Sequence, residues 1–153
     1  MNLDQLLSPS ATMICEQISS KKKMLEKVSQ LMAETIDTTE KRVFDSLVCR
    51  ERLGTTGLGN GIAIPHGRIA ACQQVTAVFL LLSTPIDYDA PDGKLVDLVF
   101  ALIVPEEAHN THLSYLANIS ELLSDEHLVA QLRHAHSNEV LYDLLEQAAT
   151  NID

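Results

Sequence analysis

Residues 55–67 read TTGLGNGIAIPHG, with His66 directly behind Pro65. Five of the chain's six glycines, at positions 54, 57, 59, 61 and 67, fall in this neighbourhood. Three of its five arginines, Arg50, Arg52 and Arg68, bracket the same stretch, in a chain of formal net charge −10. An unperturbed imidazole has a pKa of about 6.5, so it is mostly neutral near pH 7. A neutral ring nitrogen is a nucleophile and can form a covalent intermediate. Phosphorus on that nitrogen makes a labile phosphoramidate, suited to passing the group onward. Guanidinium groups recognise phosphate oxygens in pairs, and exposed N–H groups in a glycine-rich turn can bind an anion. Each feature also has a bland reading: a wandering loop, a surface ion pair, a core or surface histidine. Their coincidence points to phosphoryl chemistry.

Familiar nucleotide loops do not fit. A dinucleotide fingerprint needs G-x-G-x-x-G, but counting from Gly57 the third glycine position is Ile62, and from Gly59 it is Ile64. Gly54 and Gly59 have the gap of a Walker loop, yet Asn60-Gly61 follow where Lys-Ser/Thr is required. There is no H-E-x-x-H and no G-x-S-x-G, which removes the usual zinc-protease and serine-hydrolase signatures. A metal-dependent hydrolase built on His66, His112 and an acid remains the weakest alternative. The His134-Ala135-His136 pair sits at an expected helix end beside Arg133, where positive charge suits the helix dipole. With His109 and His127, these histidines read as surface residues. No metal and no cofactor is expected.

The elements that must position His66 can be read from periodicity. At 153 residues, 46% apolar and 21% charged, the chain has the composition of one globular domain. Aromatics are only 4% and Trp is absent, so the core must be aliphatic. Residues 3–7 read as a short helix stopped near Pro9, and residues 12–18 as a strand. Ser19 or Ser20 caps a helix with Met24, Leu25, Val28, Leu31 and Met32 on one face. Lys21-Lys22-Lys23, the only basic run, reads as its solvated face. Thr39 caps a second helix with Val43, Phe44, Leu47 and Val48 inward, ended by Gly54. The glycine-rich stretch reads as irregular backbone, because glycine in regular structure costs about 0.5–1 kcal/mol each relative to alanine.

VTAVFLLLS (75–83) and LVDLVFALIV (95–104) are continuous apolar runs, read as strands covered on both faces. Turn signals bound them at Thr84-Pro85, Pro91-Asp92-Gly93 and Pro105. Three helical stripes follow: Leu113, Leu116, Ile119, Leu122 and Leu123; then Leu128, Val129 and Leu132; then Val140, Leu141, Leu144, Leu145 and Ala148, capped by Ser137. Thr111 reads as the cap of the first, which puts His112 in its first turn. That histidine is either a half-buried structural residue or part of an anion site. Helices around a strand-rich middle indicate an α/β or α+β sandwich: a mixed sheet flanked by helices on both faces.

Compartment and partners follow from charge and cysteine use. Lys and Arg total 11 against 21 Asp and Glu. A nucleic-acid backbone would be repelled, and a basic partner would be steered in. Three scattered cysteines without a C-x-x-C pair argue for a reducing compartment. The opening MNLDQLLSPS lacks the basic and apolar regions of a secretory leader, and the longest apolar run is far short of the roughly 18 residues of a membrane helix. A cytoplasmic protein without direct membrane insertion is expected.

The combination T-G-[IL]-G-x-G-x-A-[IL]-P-H, with CRERLGTTGLGNGIAIPHG, TPIDYDAPDGKLVDLVFALIVP and THLSYL, resembles the mannitol/fructose-type enzyme IIA of the phosphoenolpyruvate-dependent phosphotransferase system. Within it, the nitrogen-regulatory branch looks nearest, and the similarity covers essentially residues 1–153 as a single domain. The resemblance implies the mannitol-type IIA fold. It also implies that His66, through its Nε2, accepts a phosphoryl group from HPr or a similar histidine phosphocarrier. Arg50 and His112 map to the residues beside the phosphorylated ring. Thr56, Gly57, Gly59, Asn60 and Gly61 would form a phosphate-binding loop whose amides offset charge in the transition state. Leu58 and Ile62 are expected to help dock the donor.

Two outputs are open. In one, phosphorylation state switches affinity for regulated proteins such as ion transporters or sensor kinases. In the other, a sugar-specific component passes the phosphate to a IIB permease subunit. The absence of a fused phosphorylation or membrane domain in the sequence favours the first.

Overall fold

The structure is a computed structural model and describes residues 1–107 and 111–152, apart from the side chains of residues 111 and 112. Its centre is two long strands, β5 (Thr76–Ile86) and β6 (Val96–Pro105), paired antiparallel. From Ala77 to Leu82 and from Leu98 to Val104 every residue is buried. Because neighbouring side chains on a strand point to opposite faces, both faces are covered, as the unalternating sequence requires. Phe79 and Phe100 are register partners, and their rings meet edge to face with centroids 5.8 Å apart.

Around this pair the sheet is mixed and six-stranded. β1 (Thr12–Cys15) lies parallel to β5, and β6 carries two short strands on its other side, β3 (Ile62–Ala63) and β4 (His66–Ile69), both parallel to it. β2 (Gly57–Gly59) closes that edge by pairing antiparallel with β3. Among the described residues five α-helices accompany the sheet: α1 (Lys21–Thr35), α2 (Glu40–Glu51), α3 (Thr111–Leu122), α4 (Glu126–Arg133) and α5 (Asn138–Ala149). α1 and α2 pack as a pair, α1 on β5 and α2 on β4, while α5 packs on β1. No helix among the described residues is long and apolar enough to cross a membrane.

The caps fall where the polar residues foretell. Ser20, Thr39 and Ser137 each accept the backbone N–H three residues on, and Asp125 does the same for α4. α3 begins at Thr111 itself, one residue earlier than a cap at that position would place it, and the Thr111 side chain lies outside the described residues. Three expectations need correcting. Pro85 is inside β5 rather than beyond it; the β5–β6 register slips between Leu81 and Ile86, and residues 83–85 are exposed there, so no ladder hydrogen bond is asked of the proline. Leu113 and Val140 begin their stripes but are 56% and 44% exposed, because both sit at helix starts ahead of the packed turns. The glycine-rich stretch is not irregular: it supplies β3 and β4, which pair with the chain-distant β6, and β2, which pairs with β3.

Gly67 shows why glycine is needed in a strand. It is buried on β4, and a Cβ there would overlap the side chain of Ser46 on α2. The helix therefore comes closer to β4 than any other residue would permit. Gly67→Ala is expected to destabilise the protein by about 1–3 kcal/mol through overpacking, read as a lower denaturant midpoint at unchanged m-value.

Candidate functional site

His66 opens β4, behind a backbone held on three counts. The Ile64 N–H donates to the Thr56 carbonyl (3.1 Å), the Leu102 N–H donates to the Pro65 carbonyl (2.9 Å), and His66 pairs in register with Leu102. Pro65 also fixes its own φ. The half-buried imidazole has its Nδ1 3.0 Å from the Ile64 carbonyl oxygen. A carbonyl can only accept, so Nδ1 is the donor, and in the neutral ring Nε2 is the nitrogen with the lone pair.

A cavity of about 430 Å³ adjoins this ring. Ser46, Cys49 and Arg50 line it from one face of α2, spaced i, i+3 and i+4, Leu53 from the turn that follows, and His66 and Arg68 from β4. Arg50 is positioned by a hydrogen bond from its Nη1 to the Gly54 carbonyl at 2.8 Å, where the chain leaves α2 with Gly54 at φ +148°. A guanidinium has five N–H donors in a planar fork, so this single bond leaves it capacity for an oxyanion. His66 and Arg50 are thus brought to one cavity. His112 falls in the first turn of α3 and its side chain lies outside the described residues, as does His109.

The five loop residues are placed differently from the expectation. Two of their N–H groups do hold anions, but these are the protein's own carboxylates. Thr56 N–H donates to Glu51 Oε2 (3.3 Å) and Asn60 N–H to Asp92 Oδ2 (2.8 Å). Gly57 N–H is satisfied by Thr55 Oγ1 at 3.1 Å, and Gly59 pairs with Ile62. Asn60, at φ +58°, and Gly61, at φ +80°, make the β2–β3 turn. Both line a separate cavity of about 290 Å³ with Asp97 and Arg133. There Arg133 grips the Asp97 carboxylate through Nε and Nη2 at 3.0–3.1 Å, and Nη2 also donates to the Asn60 carbonyl at 2.6 Å. The backbone N–H bonds from Asn60 and Lys94 hold the Asp92 carboxyl below the usual carboxylate range. Leu58 is 49% exposed, whereas Ile62 is buried in the core and cannot face a partner.

The sequence reading missed a cluster that fixes the end of α2. Glu51 Oε2 accepts from Lys21 Nζ at 2.8 Å, and Oε1 accepts from the hydroxyls of Thr56 and Tyr88, the latter at 3.0 Å. The Lys21 ammonium lies 4.2 Å from the centre of the Tyr88 ring. Lys21 therefore turns inward, and only Lys22 and Lys23 of the basic run are exposed. Thr56 Oγ1 and Tyr88 OH also stand 2.9 Å apart. Two hydroxyl protons cannot serve all three oxygen contacts at once, so the triangle has one contact without a hydrogen bond of its own. The only trace in the sequence is an acidic residue wedged between Arg50 and Arg52 just before the glycines. Nothing local marks Lys21 or Tyr88.

Among the described residues, the remaining histidines form no converging set. His134 and His136 are exposed, and His134 Nδ1 contacts the Ala130 carbonyl at 2.7 Å. Among the described residues no three His, Cys, Asp or Glu side chains are grouped to hold a metal ion. Cys15 and Cys72 are buried, which pushes both thiols up, and Cys49 is exposed.

Residues 5–148 match the family described as phosphoenolpyruvate-dependent sugar phosphotransferase system, EIIA 2. The chain is 40% identical over 146 residues to a nitrogen regulatory protein of Pseudomonas aeruginosa, covering 95% of each. The crystal structure of nitrogen regulatory protein IIA-Ntr from Neisseria meningitidis superposes with a TM-score of 0.87 at 35% identity, covering 94% of this chain and 98% of that one. IIA mannitol from Escherichia coli shares the fold at 20% identity, with a TM-score of 0.73 over 89% of this chain and 96% of its own.

Two outcomes follow from the Glu51 cluster. Burial, then the Glu51 charge, push the Tyr88 phenol well above its ordinary value of 10.0. The folded state thus favours the neutral phenol: its contribution is fully present below about pH 10 and is lost as pH rises towards the folded value. In an alkaline titration followed by phenolate absorbance, Tyr88 should ionise only as the chain unfolds, and Tyr88→Phe should remove that share of the signal. Glu51→Gln, which leaves Lys21 without its counter-charge, should lower stability by about 2 kcal/mol in chemical denaturation.

Proposed function

The chain belongs to the EIIA 2 family of the phosphoenolpyruvate-dependent sugar phosphotransferase system, and on that premise we propose that it is a phosphocarrier whose acceptor is His66 Nε2. The observation that carries this reading is the Nδ1–Ile64 carbonyl contact beside a guanidinium-lined cavity. It fixes the tautomer that leaves Nε2 able to attack. The donor is a histidine phosphocarrier of the HPr kind. Its phosphoimidazole, protonated on the second ring nitrogen, meets the His66 lone pair in line. The new N–P bond forms at Nε2 as the old one breaks, and the electron pair returns to the donor ring, which departs neutral. His66 keeps its Nδ1 proton and becomes the phosphoimidazolium, so charge and protons balance.

Bond making and breaking between two like nitrogens needs little driving force. Positioning and charge stabilisation should therefore dominate the rate. Arg50 would take up charge on the equatorial oxygens, and the resemblance assigns the same task to His112 of α3. The Thr56 and Asn60 amides, occupied by Glu51 and Asp92, would act at one remove by fixing the backbone that carries the ring. Arg50 is attached to the same machinery, since it precedes Glu51.

The output we favour is regulatory: the phosphorylated and unphosphorylated forms bind target proteins differently. The names of the relatives at about 40% identity support this, as nitrogen regulatory proteins. Transfer onward to a IIB permease subunit would instead favour the sugar-transport output.

The test is incubation with phosphoenolpyruvate, the first enzyme of the system and a phosphocarrier, followed by intact mass. The wild type should gain one phosphoryl group, labile in acid and stable in base. His66→Ala should gain none, and Arg50→Ala should react more slowly by about 10²-fold, in the range for removing one preorganised donor. His112→Ala should also slow the reaction. Full labelling of the His66 variant would overturn the assignment.

A further inference from the structure

We infer that Arg68 is a second phosphoryl-binding residue, a guanidinium that holds the group on His66 opposite Arg50. This rests on the reading of His66 as the acceptor.

On β4, His66 and Arg68 are two residues apart and share a face, roughly 7 Å from each other along the strand. Gly67 between them faces α2 and Ser46. Ser46 Oγ donates to the Arg68 carbonyl at 3.1 Å, and Arg68 is in register with Val104 of β6. The Arg68 backbone is therefore tied both to the strand that positions the imidazole and to the helix that carries Arg50. His66, Arg50 and Arg68 line the same cavity. In a chain of net charge −10, two guanidiniums around one nucleophilic ring form a site for a dianion. A phosphoryl group has three peripheral oxygens, more than Arg50 alone can saturate. Of the three residues, Arg68 is the exposed member.

A residue that binds the transferred group differs measurably from one that merely steers the partner. It should slow loss of phosphate from the purified phosphoprotein, where no partner is present, as well as the saturated transfer rate. Steering alone would change only half-saturation, in a salt-dependent way.

The experiment compares wild type, Arg68→Gln, Arg68→Lys and, as a charge control away from the cavity, Arg42→Gln. The donor is a phosphorylated HPr-like carrier. Maximal rate, half-saturation and the first-order decay of isolated phosphoprotein are read, with melting curves confirming the fold. Arg68→Gln is expected to lower the maximal rate about tenfold and to speed decay several-fold, as losing one charge-assisted contact should. Arg68→Lys should fall between, and Arg42→Gln should match wild type. If Arg68→Gln decays and turns over like wild type, or differs only in a salt-sensitive half-saturation, the inference is overturned while the acceptor reading stands. If wild type itself takes no phosphate on His66, both are overturned.

Discussion

One carboxylate organises this end of the molecule. Glu51, its side chain only 7% exposed, joins the first turn of α1 through Lys21, the entry to β2 through Thr56, and the segment after β5 through Tyr88. A relay of hydrogen bonds continues from it. The Thr56 carbonyl accepts from Ile64, and the Ile64 carbonyl accepts from the His66 ring. Moving a charge out of water costs several kcal/mol, and a single counter-ion rarely repays it. Here the cost is offset by an ammonium, two hydroxyls and a backbone N–H together. The gain is best understood as geometry rather than net stability. The residue that fixes the end of α2 also fixes the peptide on which the imidazole leans, so Arg50 and His66 are located by the same anchor.

The glycine-rich segment makes sense in that light. Its amides look built to cradle phosphate, and they do bind anions, but Glu51 and Asp92 are already there. Tying these N–H groups to the protein's own carboxylates turns a permissive backbone into a fixed one. Arg133 adds a second lock, closing the β2–β3 turn onto Asp97 of β6. Strands as short as β2 and β3 would not persist by propensity. They persist because β6 offers a buried ladder beside them and because both ends of the turn are clamped. Rigidity on this side leaves the cavity side, with its exposed Arg68 and Leu53, as the surface on which the proposed donor would dock.

Which parts were legible in the sequence follows from range of interaction. Ser20, Thr39 and Ser137 announce helix starts because capping is decided within three residues. The apolar runs of β5 and β6 are equally plain, since only a doubly covered strand tolerates them. His66 and Arg50 stand out by residue type and neighbours. What was not legible is what chain-distant partners decide. Lys21, Glu51 and Tyr88 are separated by 30 residues or more, and nothing local distinguishes an inward lysine from the two exposed ones that follow it. The glycine stretch misled for the same reason: glycine's local cost argues against strands, and the long-range ladder with β6 overrides it.

The locked tautomer bears on why so small a site would suffice for the proposed reaction. A serine nucleophile must lose a proton as it attacks, so it needs a base and a group to orient that base. An imidazole held with Nδ1–H on a carbonyl already presents its lone pair at Nε2, and the product ring keeps the same proton on the same acceptor. The proton inventory is therefore unchanged from start to finish. What remains is to place phosphorus in line and to match the negative charge on its oxygens. Both demands are met by fixed backbone and guanidinium groups. A fold that spends buried carboxylate contacts on holding one peptide still is, on this argument, contributing directly to the rate.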